Sequence, residues 1–335
     1  MDIRIGLLGT GMIGQAHIER VNNKLQGGKV VAVFDDNTAF SEKIASKYGL
    51  KFFDTYQELI ASPEVDALIV TAADRFHETY VLESIRHGKF VFCEKPLTPT
   101  SDACKRIIEA EIAGEKQLVQ VGFMRRYDKG YRQIKKIIEE GSFGEPLLVH
   151  CYHRNPDTGI DFTTPMTVEN SMIHEIDVLR WLLNEDYASA QMILPKKASN
   201  ARDNLHDPQM LILSTVSGVH IDIENFQRTG YGYDIRCEIC CDKGSITLPE
   251  PSNPVLRYQF NRMTGISPNW NERFSDAYDH ELQEWMNATK EGIVAGPCAW
   301  DGYVASITTA AASKSRNNGT IEKIVIDDRP DFYRR

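Results

Sequence analysis

A glycine-rich turn placed directly after the first apolar run constrains this chain more than any other feature. Ile3–Leu8 is typical of a short buried strand, the segment Gly9–Gly14 reads Gly-Thr-Gly-Met-Ile-Gly, and the apolar spacing from Ile13 to Leu25 indicates a helix. In this G-x-G-x-x-G pattern the first glycine permits a tight turn, the second lets backbone approach a pyrophosphate, and the third allows the helix to pack closely. The pattern therefore predicts that the N-terminal part of the chain is a dinucleotide-binding domain.

A pair of acids supports that prediction. The next strand, Val30–Phe34, ends in Asp35-Asp36, about 20 residues after the glycines, where a carboxylate accepts hydrogen bonds from the adenosine ribose. Two carboxylates without a neighbouring arginine repel a 2′-phosphate, so the sequence favours NAD over NADP. The alternative interpretation is a plain glycine turn followed by an exposed acidic loop.

Further apolar runs alternate with helical segments as far as Gly122. They are Val65–Thr71, Lys89–Phe92 and Leu118–Val121, and such runs separated by helices indicate a parallel sheet covered on both faces. After Gly122 the regular alternation of strands and helices ends. Helices are expected at 131–140, 173–183, 272–290 and 301–315, and strands at 147–152, 209–216, 219–226, 233–241 and 245–248.

The predicted fold class is therefore α/β. An N-terminal Rossmann domain with a doubly wound parallel sheet, residues 1–122, precedes a C-terminal α+β domain, residues 123–335, built on a large, mostly antiparallel open sheet.

Composition excludes several classes of protein. The chain has 335 residues and a formal net charge of −9, which argues against nucleic-acid binding because phosphate neutralisation needs a basic surface. No apolar run approaches the ~18 residues that a membrane span requires, and the N-terminus lacks the pattern of a secretory signal. Seven cysteines without a second closely spaced pair predict structural thiols rather than a metal site. We expect a cytoplasmic protein with neither a membrane nor a nucleic-acid partner.

Two segments carry candidate catalytic groups. Lys95 follows Phe92-Cys93-Glu94 at the carboxyl end of a predicted strand, where ligands bind in open α/β sheets. His174 and Asp177 are i, i+3 neighbours on the predicted helix 173–183. The start of this helix resembles H-E-x-x-H, but Val178 occupies the second histidine position, so a zinc site is excluded. The alternatives are a surface lysine and a histidine on an amphipathic helix.

Oxidation of an alcohol by NAD requires a base for the hydroxyl proton and a donor for the developing alkoxide. His174 suits the base near neutral pH, whereas the pKa of a lysine, about 10.4, would have to fall by about 3 units. His174 is therefore the expected base, and Lys95 is expected to hydrogen-bond the same oxygen.

The chain resembles the Gfo/Idh/MocA oxidoreductases over nearly its whole length. Glu94-Lys95-Pro96 is characteristic of that family. The segments Met124–Asp128 (Met-Arg-Arg-Tyr-Asp) and Trp300–Tyr303 (Trp-Asp-Gly-Tyr) resemble its inositol-oxidising branch. The resemblance also includes segments 153–156, 173–177, 231–234 and 277–279.

The resemblance implies NAD-dependent oxidation of a secondary hydroxyl of myo-inositol or a close cyclic polyol to the ketone, in a homo-oligomer that is commonly a tetramer. It implies that Lys95, His174 and residue 170 are catalytic. It further implies a polyol pocket and a cofactor site. The implied pocket residues are Asp177, His153, Tyr233 and Arg125, and the implied cofactor residues are Gly9, Gly11, Met12, Ile13, Gly14, Asp35, Asp36, His77, Glu94 and Lys95. Carboxylate pairing is an equal alternative for Arg125 and Arg126.

Two positions depart from the pattern of the branch. Asn170 stands where the branch usually has an acid that works with the histidine as a proton relay, and Arg228 stands near where a small polar residue is usual. An amide forms hydrogen bonds but cannot take up a proton. The substrate therefore stays open between myo-inositol, another inositol stereoisomer, an aldose and a sugar acid. A non-catalytic NAD- and sugar-sensing regulator is a further alternative.

Overall fold

The structure is a computed structural model that describes residues 2–334, and it divides the chain into two compact units. The first unit contains residues up to Phe123 together with 278–306 and 327–334, and the second contains 124–277 and 307–326.

The first unit is built on a six-stranded parallel sheet. Its strands are β1 (Ile3–Leu8), β2 (Gly28–Phe34), β3 (Lys51–Phe52), β4 (Ala67–Val70), β5 (Phe90–Glu94) and β6 (Val119–Gly122), in the order β3-β2-β1-β4-β5-β6. Its helices before residue 123 are α1 (Met12–Asn23), α2 (Thr38–Tyr48), α3 (Tyr56–Ala61), α4 (His77–Arg86) and α5 (Ser101–Ala113). This strand order is that of a doubly wound dinucleotide-binding sheet, as predicted.

Local sequence accounts for these elements. Every residue of β4 and β5 is buried, because helices cover both faces of a parallel sheet, and so the strands read as apolar runs rather than alternations. Side chains of Asn37, Thr55 and Thr100 accept hydrogen bonds from backbone N–H groups in the first turns of α2, α3 and α5. These caps set where the helices begin.

The second unit is built on a seven-stranded mixed sheet. Its elements are α6 (Lys129–Glu140), β7 (Pro146–Arg154), α7 (Ile173–Leu183), β8 (Tyr187–Ile193), β9 (Gln209–Thr215), β10 (His220–Phe226), β11 (Asp234–Cys241), β12 (Gly244–Thr247), β13 (Val255–Tyr258), β14 (Asn261–Thr264), α8 (Trp270–Arg273) and β15 (Glu322–Lys323). Two further helices, α9 (Ser275–Lys290) and α10 (Ala299–Asn318), contribute residues to both units. The sheet order is β12-β11-β7-β10-β9-β8-β15, and β13 pairs with β14 in a separate hairpin.

Most of this sheet is antiparallel, as predicted, while β7 and β10 pair in parallel. The elements that the sequence does not predict are β3, β8, β15, the hairpin and a π-helical turn, Thr167–Met172, that leads into α7.

Two later stretches pack with the N-terminal sheet, although the sequence places them in the C-terminal domain. Backbone Val121 N–H donates to Pro297 O at 2.8 Å, and the Arg20 guanidinium lies 3.1 Å from the Asp279 carboxylate. The Tyr333 hydroxyl donates to the buried Glu111 carboxylate at 2.5 Å. These long-range contacts assign residues 278–306 and 327–334 to the first unit.

Candidate functional site

The glycine loop of the first unit has the geometry that its sequence predicts. Gly9 has φ +104°, and a Cβ there would lie 2.4 Å from Ala72 N, while a Cβ at Gly14 would lie 2.2 Å from Gly9 O. A Cβ added at Gly11, in contrast, meets no heavy atom of residues 2–334 within 4 Å. Packing therefore requires glycine at positions 9 and 14, and position 11 is open to an approaching ligand.

Helix α1 begins at this loop with its first turn available to an anion. Its N-cap is Gly11, which has no side chain to accept the first N–H groups, and the following Met12 is 74% exposed. Ile13 is half-buried and Gly14 is buried. A helix N-terminus of this kind combines unpaired N–H groups with a positive dipole end, which is the arrangement that binds phosphates.

The two acids after β2 differ in what they contact. The half-buried Asp35 accepts from Thr10 N–H at 2.6 Å and from the Thr10 hydroxyl at 3.1 Å, and its other oxygen accepts from Asn37 N–H at 3.0 Å. Asp36 is exposed and accepts from the Tyr80 hydroxyl at 3.4 Å. Asp35 thus braces the glycine loop, and Asp36 presents the more accessible carboxylate.

Lys95 is half-buried at the carboxyl end of β5, and the preceding Glu94 is tied into the protein interior. One Glu94 oxygen lies 2.8 Å from His17 Nε2, and the other accepts from the backbone N–H of Lys95 at 3.3 Å. His17 and Glu94 are both buried. These contacts of Glu94 hold the segment that carries Lys95.

His77 links the loops that follow β4 and β5. Its ring is buried, with Nδ1 2.8 Å from Pro96 O and Nε2 2.9 Å from Ala72 O. Because a carbonyl oxygen only accepts, both contacts are hydrogen bonds when both ring nitrogens carry protons. His77 therefore fixes the backbone immediately after Lys95.

The second unit contains the other predicted catalytic positions. His174 is buried in the first turn of α7, whose observed bounds, Ile173–Leu183, are those predicted. Asn170 is half-buried in the π-helical turn that precedes it. Short π-helical stretches are rare and occur frequently at functional sites.

A buried cluster of charged and polar side chains surrounds Glu175, the residue after His174. Arg125, only 1% exposed, donates to one Glu175 oxygen, and His153 Nδ1 lies 3.0 Å from the other and 3.2 Å from Arg125 Nη2. The Tyr233 hydroxyl lies 3.5 Å from His153 Nε2. The structure thus brings together three of the predicted polyol-pocket residues, Arg125, His153 and Tyr233.

The charges in this cluster stabilise one another. Burial alone would raise the pKa of Glu175, but the Arg125 guanidinium and His153 outweigh it and lower that pKa. Burial likewise would lower the pKa of Arg125, and the Glu175 carboxylate reverses this and raises it. Burial raises the pKa of Tyr233. Glu175 is therefore ionised, and Tyr233 is a neutral donor.

The remaining predicted pocket residue, Asp177, is buried and is held by Arg126. Arg126 Nε donates to Asp177 Oδ2 at 2.8 Å, and Nη2 donates to Oδ1 at 2.5 Å. Both arginines of the Met124–Asp128 segment therefore pair with carboxylates of α7, which is the structural alternative that the sequence leaves open for them. Arg228 donates to Asp157 at 2.9 Å and to the carbonyl of Asn200. The positive charge of Arg228 is thus paired with a carboxylate on an exposed loop.

Family models match both parts of the chain. A model described as "Oxidoreductase family, NAD-binding Rossmann fold" matches residues 3–123, and one described as "Oxidoreductase family, C-terminal alpha/beta domain" matches residues 135–325. The chain belongs to the Gfo/Idh/MocA oxidoreductase family. Within that family it is an NAD-dependent oxidoreductase, and its first unit is an NAD-binding Rossmann domain.

Relatives of this family member are similar over the full length. The chain is 46% identical to the inositol 2-dehydrogenase of Burkholderia cenocepacia and 45% identical to that of Pseudomonas savastanoi, covering at least 99% of this chain and 100% of each relative. A crystal structure of myo-inositol dehydrogenase from Lactobacillus casei, in complex with NAD(H) and myo-inositol, is 37% identical. It superimposes with a TM-score of 0.98, covering 100% of both chains.

The residues of the first unit fit the cofactor of the family. The open position at Gly11, the uncapped first turn of α1 and the exposed carboxylate of Asp36 match a pyrophosphate and an adenosine ribose. Among residues 2–334, no group of three or more His, Cys, Asp or Glu side chains is arranged to hold a metal ion. No helix in the described part of the chain is long and apolar enough to cross a membrane.

Several polar residues near these sites were not singled out from the sequence. His17, Glu175, Gln209 and Gln227 are all buried and all form hydrogen bonds to other elements. The one sequence signal for the two glutamines is an amide at a position where the strand alternation predicts a buried apolar side chain. His17 and Glu175 lie on helices whose apolar pattern gives no such signal.

Proposed function

We propose that this protein oxidises a secondary hydroxyl of myo-inositol, or of a close cyclic polyol, to the ketone. Its full-length identity of 45–46% to inositol 2-dehydrogenases carries the proposal, and the 37% identical myo-inositol dehydrogenase with bound NAD(H) and myo-inositol supports it. The reaction releases a proton and a hydride from the same CH–OH group. When bound, NAD supplies the hydride acceptor.

We propose that His174 is the general base and that Lys95 assists it by donating a hydrogen bond to the hydroxyl oxygen. An ammonium group stabilises the negative charge that develops on that oxygen as the proton leaves. Asn170, four residues before His174, is proposed to hydrogen-bond a substrate hydroxyl. Its amide cannot relay a proton, so His174 must pass its proton to solvent or to another group.

The polyol pocket is proposed to include His153, Tyr233, Asp177 and Arg125. His153 and Tyr233 supply an imidazole nitrogen and a neutral hydroxyl for substrate hydroxyl groups. Arg125 and Asp177 have charged partners of their own, and they support the pocket by holding Glu175 and Arg126 in place. A pocket with fixed donors and acceptors discriminates between stereoisomers because a mismatched hydroxyl leaves a buried polar group unpaired.

Asn170 favours a second candidate substrate class. With an amide in place of the usual acid, another inositol stereoisomer, an aldose or a sugar acid fits the same chemistry. Arg228 gives no comparable support for an acidic sugar, because its guanidinium is paired with Asp157.

The test is NADH formation by the purified protein with NAD and a panel of polyols. The panel contains myo-, scyllo- and chiro-inositol, glucose, xylose, galactose and glucuronate. Turnover of an inositol in preference to the aldoses supports the proposal. Tight NAD binding without turnover of any member would instead favour a sensing role or another substrate.

Matched variants test the proposed catalytic residues. His174→Ala and Lys95→Ala are expected to lower kcat by about 10²-fold or more, the usual range for a lost general base and for a lost donor to a developing oxyanion. The exposed His87 and Lys29 provide the controls His87→Ala and Lys29→Ala, which should keep wild-type kcat. Wild-type kcat/KM in His174→Ala or Lys95→Ala would remove that residue from its role.

We also propose that the protein assembles as a homotetramer through its second unit, which would also bind the substrate, while the first unit binds NAD. The support is the half-buried outer face of β7 and β10, where His150 pairs with Asp222 at 2.5 Å and Arg154 pairs with Glu224 at 2.7 Å. Light scattering during gel filtration should give four times the chain mass. Glu224→Lys should reduce that mass, and the control Glu139→Lys should not.

The seven free thiols suit the proposed cytoplasmic location.

A further inference from the structure

The buried face of the second sheet changes from apolar to amide side chains at one end. Along the paired strands β9 and β10 the buried partners are Leu213 with Ile221, then Leu211 with Ile223, and then Gln209 with Asn225. Gln227 continues the same face two residues further and is buried as well. Burying an amide is unfavourable unless it is hydrogen-bonded, so this change has a cost that the contacts of these amides must offset.

The amide of Gln227 is hydrogen-bonded at both ends. Its Nε2 donates to the Ser171 hydroxyl at 2.9 Å and to Asn225 Oδ1 at 2.5 Å, while its Oε1 accepts from Asn155 Nδ2 at 2.9 Å. Its backbone N–H donates to the buried Asp207 carboxylate at 2.8 Å. The side chain is therefore fixed in one orientation, with an N–H group directed at Ser171.

Gln209 contacts the other end of the same segment. Its Nε2 lies 2.8 Å from the Thr167 hydroxyl, 3.1 Å from Thr164 O and 3.0 Å from His206 O. Thr167 is the first residue of the π-helical turn and Ser171 is its fifth. The two glutamines thus hold the turn at both ends, and Asn170 lies between the two held residues.

A π-helical turn has i→i+5 hydrogen bonds and is rare, so contacts with other elements help to hold one in place. We propose that Gln209 and Gln227 are positioning residues that hold the turn Thr167–Met172, and that through this turn they set the position of Asn170 and hence which polyol stereoisomer is accepted. This inference rests on the proposed function, since it assumes that Asn170 contacts the substrate. Neither glutamine is proposed to touch substrate or cofactor.

The first measurement is hydrogen exchange of the backbone amides of residues 167–172, followed by mass spectrometry. Gln227→Leu and Gln209→Leu replace the amide with an apolar side chain of similar size, and both should speed exchange in this segment. The control is Gln133→Leu, because Gln133 is exposed on α6 in the same unit. This readout needs no substrate. It therefore tests the hold on the turn even if the wild type oxidises no polyol, a result that would count against the proposed function instead.

The second measurement is the ratio of kcat/KM for myo-inositol to that for scyllo- or chiro-inositol. A displacement of about 1 Å at a reacting group costs up to about 10²-fold in rate, so a shifted Asn170 should change this ratio by about tenfold. If the glutamines had a purely structural role, the substitutions would lower kcat/KM for all substrates alike and leave the ratio unchanged. Should either leucine variant fail to fold, Ser171→Ala, which removes only the hydroxyl acceptor of Gln227, provides the same comparison.

Faster exchange in residues 167–172 together with an altered stereoisomer ratio supports the inference. Unchanged exchange in both leucine variants overturns it. Faster exchange with an unchanged ratio also overturns it, because the glutamines would then contribute stability alone.

Discussion

Arg126 binds both oxygens of the Asp177 carboxylate, with Nε 2.8 Å from Oδ2 and Nη2 2.5 Å from Oδ1. The pair joins the short helical segment after β6 to the middle of α7, and Asp177 is almost completely buried. Two parallel N–H···O bonds fix orientation as well as distance. Since His174 lies one turn before Asp177, this ion pair also fixes the helix that carries the proposed base.

Removing one partner of this pair should destabilise the protein. Asp177→Asn removes the negative charge that pairs with the largely buried Arg126 guanidinium, and breaking a buried ion pair costs about 3 kcal/mol or more. We expect the free energy of unfolding in urea to fall by about that amount. Asp186→Asn is the control, because Asp186 pairs with Arg180 at 2.6 Å on a more exposed surface, where such pairs contribute about 1 kcal/mol or less. Equal effects of the two substitutions would contradict the prediction.

Glu175 should make stability depend on acid pH. Burial raises its pKa, but Arg125 and His153 outweigh burial and lower it below the ordinary value of 4.5. A group whose pKa is lower in the folded state stabilises the protein above its unfolded pKa, and this stabilisation is lost as the pH falls through the folded pKa.

The comparison of wild type with Glu175→Gln tests this. Between about pH 5 and pH 3 the wild type should lose more unfolding free energy than the variant, because only the wild type has this carboxylate to protonate. Glu139→Gln, on an exposed helix surface, should follow the wild-type curve. Parallel curves for wild type and Glu175→Gln would show that Glu175 contributes nothing to the acid dependence.

The sequence predicts the first sheet well and the second less completely, for a physical reason. Strands buried on both faces, such as Ala67–Val70, read as apolar runs that need no partner to be recognised. Strand β8 has an irregular burial pattern, in which two half-buried residues follow each other, and its sequence has no clear apolar alternation. The parallel pairing of β7 with β10 joins residues about 70 positions apart, and no local pattern specifies it.

The same distinction applies to the candidate site. Gly9, Gly14 and Lys95 are predicted because each stands in a short sequence motif that follows an apolar strand. The partners of Arg125 and Gln227 lie 50 and 56 residues away, and only the folded chain brings them together. The contact of Glu94 with His17, 77 residues away on α1, is unpredictable from the sequence for the same reason.

Two conservative substitutions should separate the two contacts of His77. Asn is short and keeps a donor near the Nδ1 position, toward Pro96 O, whereas Gln keeps a donor near the Nε2 position, toward Ala72 O. If the contact with Pro96 is the one that holds Lys95, His77→Gln should lower kcat by about tenfold and His77→Asn by much less.

The NADH dissociation constant, measured by fluorescence, provides a second readout for these variants. It should stay within about threefold of wild type in both, because the ring nitrogens of His77 contact backbone carbonyls. The control His87→Asn should match wild type in both measurements. A large loss of NADH affinity with unchanged kcat would instead identify His77 as a direct cofactor ligand.

The two acids after β2 should contribute differently to cofactor choice. Asp35 braces Thr10 in the glycine loop, so Asp35→Ala should lower kcat/KM for NAD and NADP alike.

Asp36 is exposed, and its negative charge opposes a 2′-phosphate. One unit charge at about 4 Å is worth about 1 kcal/mol when well screened by water, so Asp36→Ser should raise the NADP to NAD ratio of kcat/KM about fivefold. The check is steady-state kinetics with each cofactor at low ionic strength and at 0.5 M salt. Screening should shrink the difference between wild type and Asp36→Ser, and a ratio that is insensitive to both the substitution and the salt would exclude a charge effect at this position.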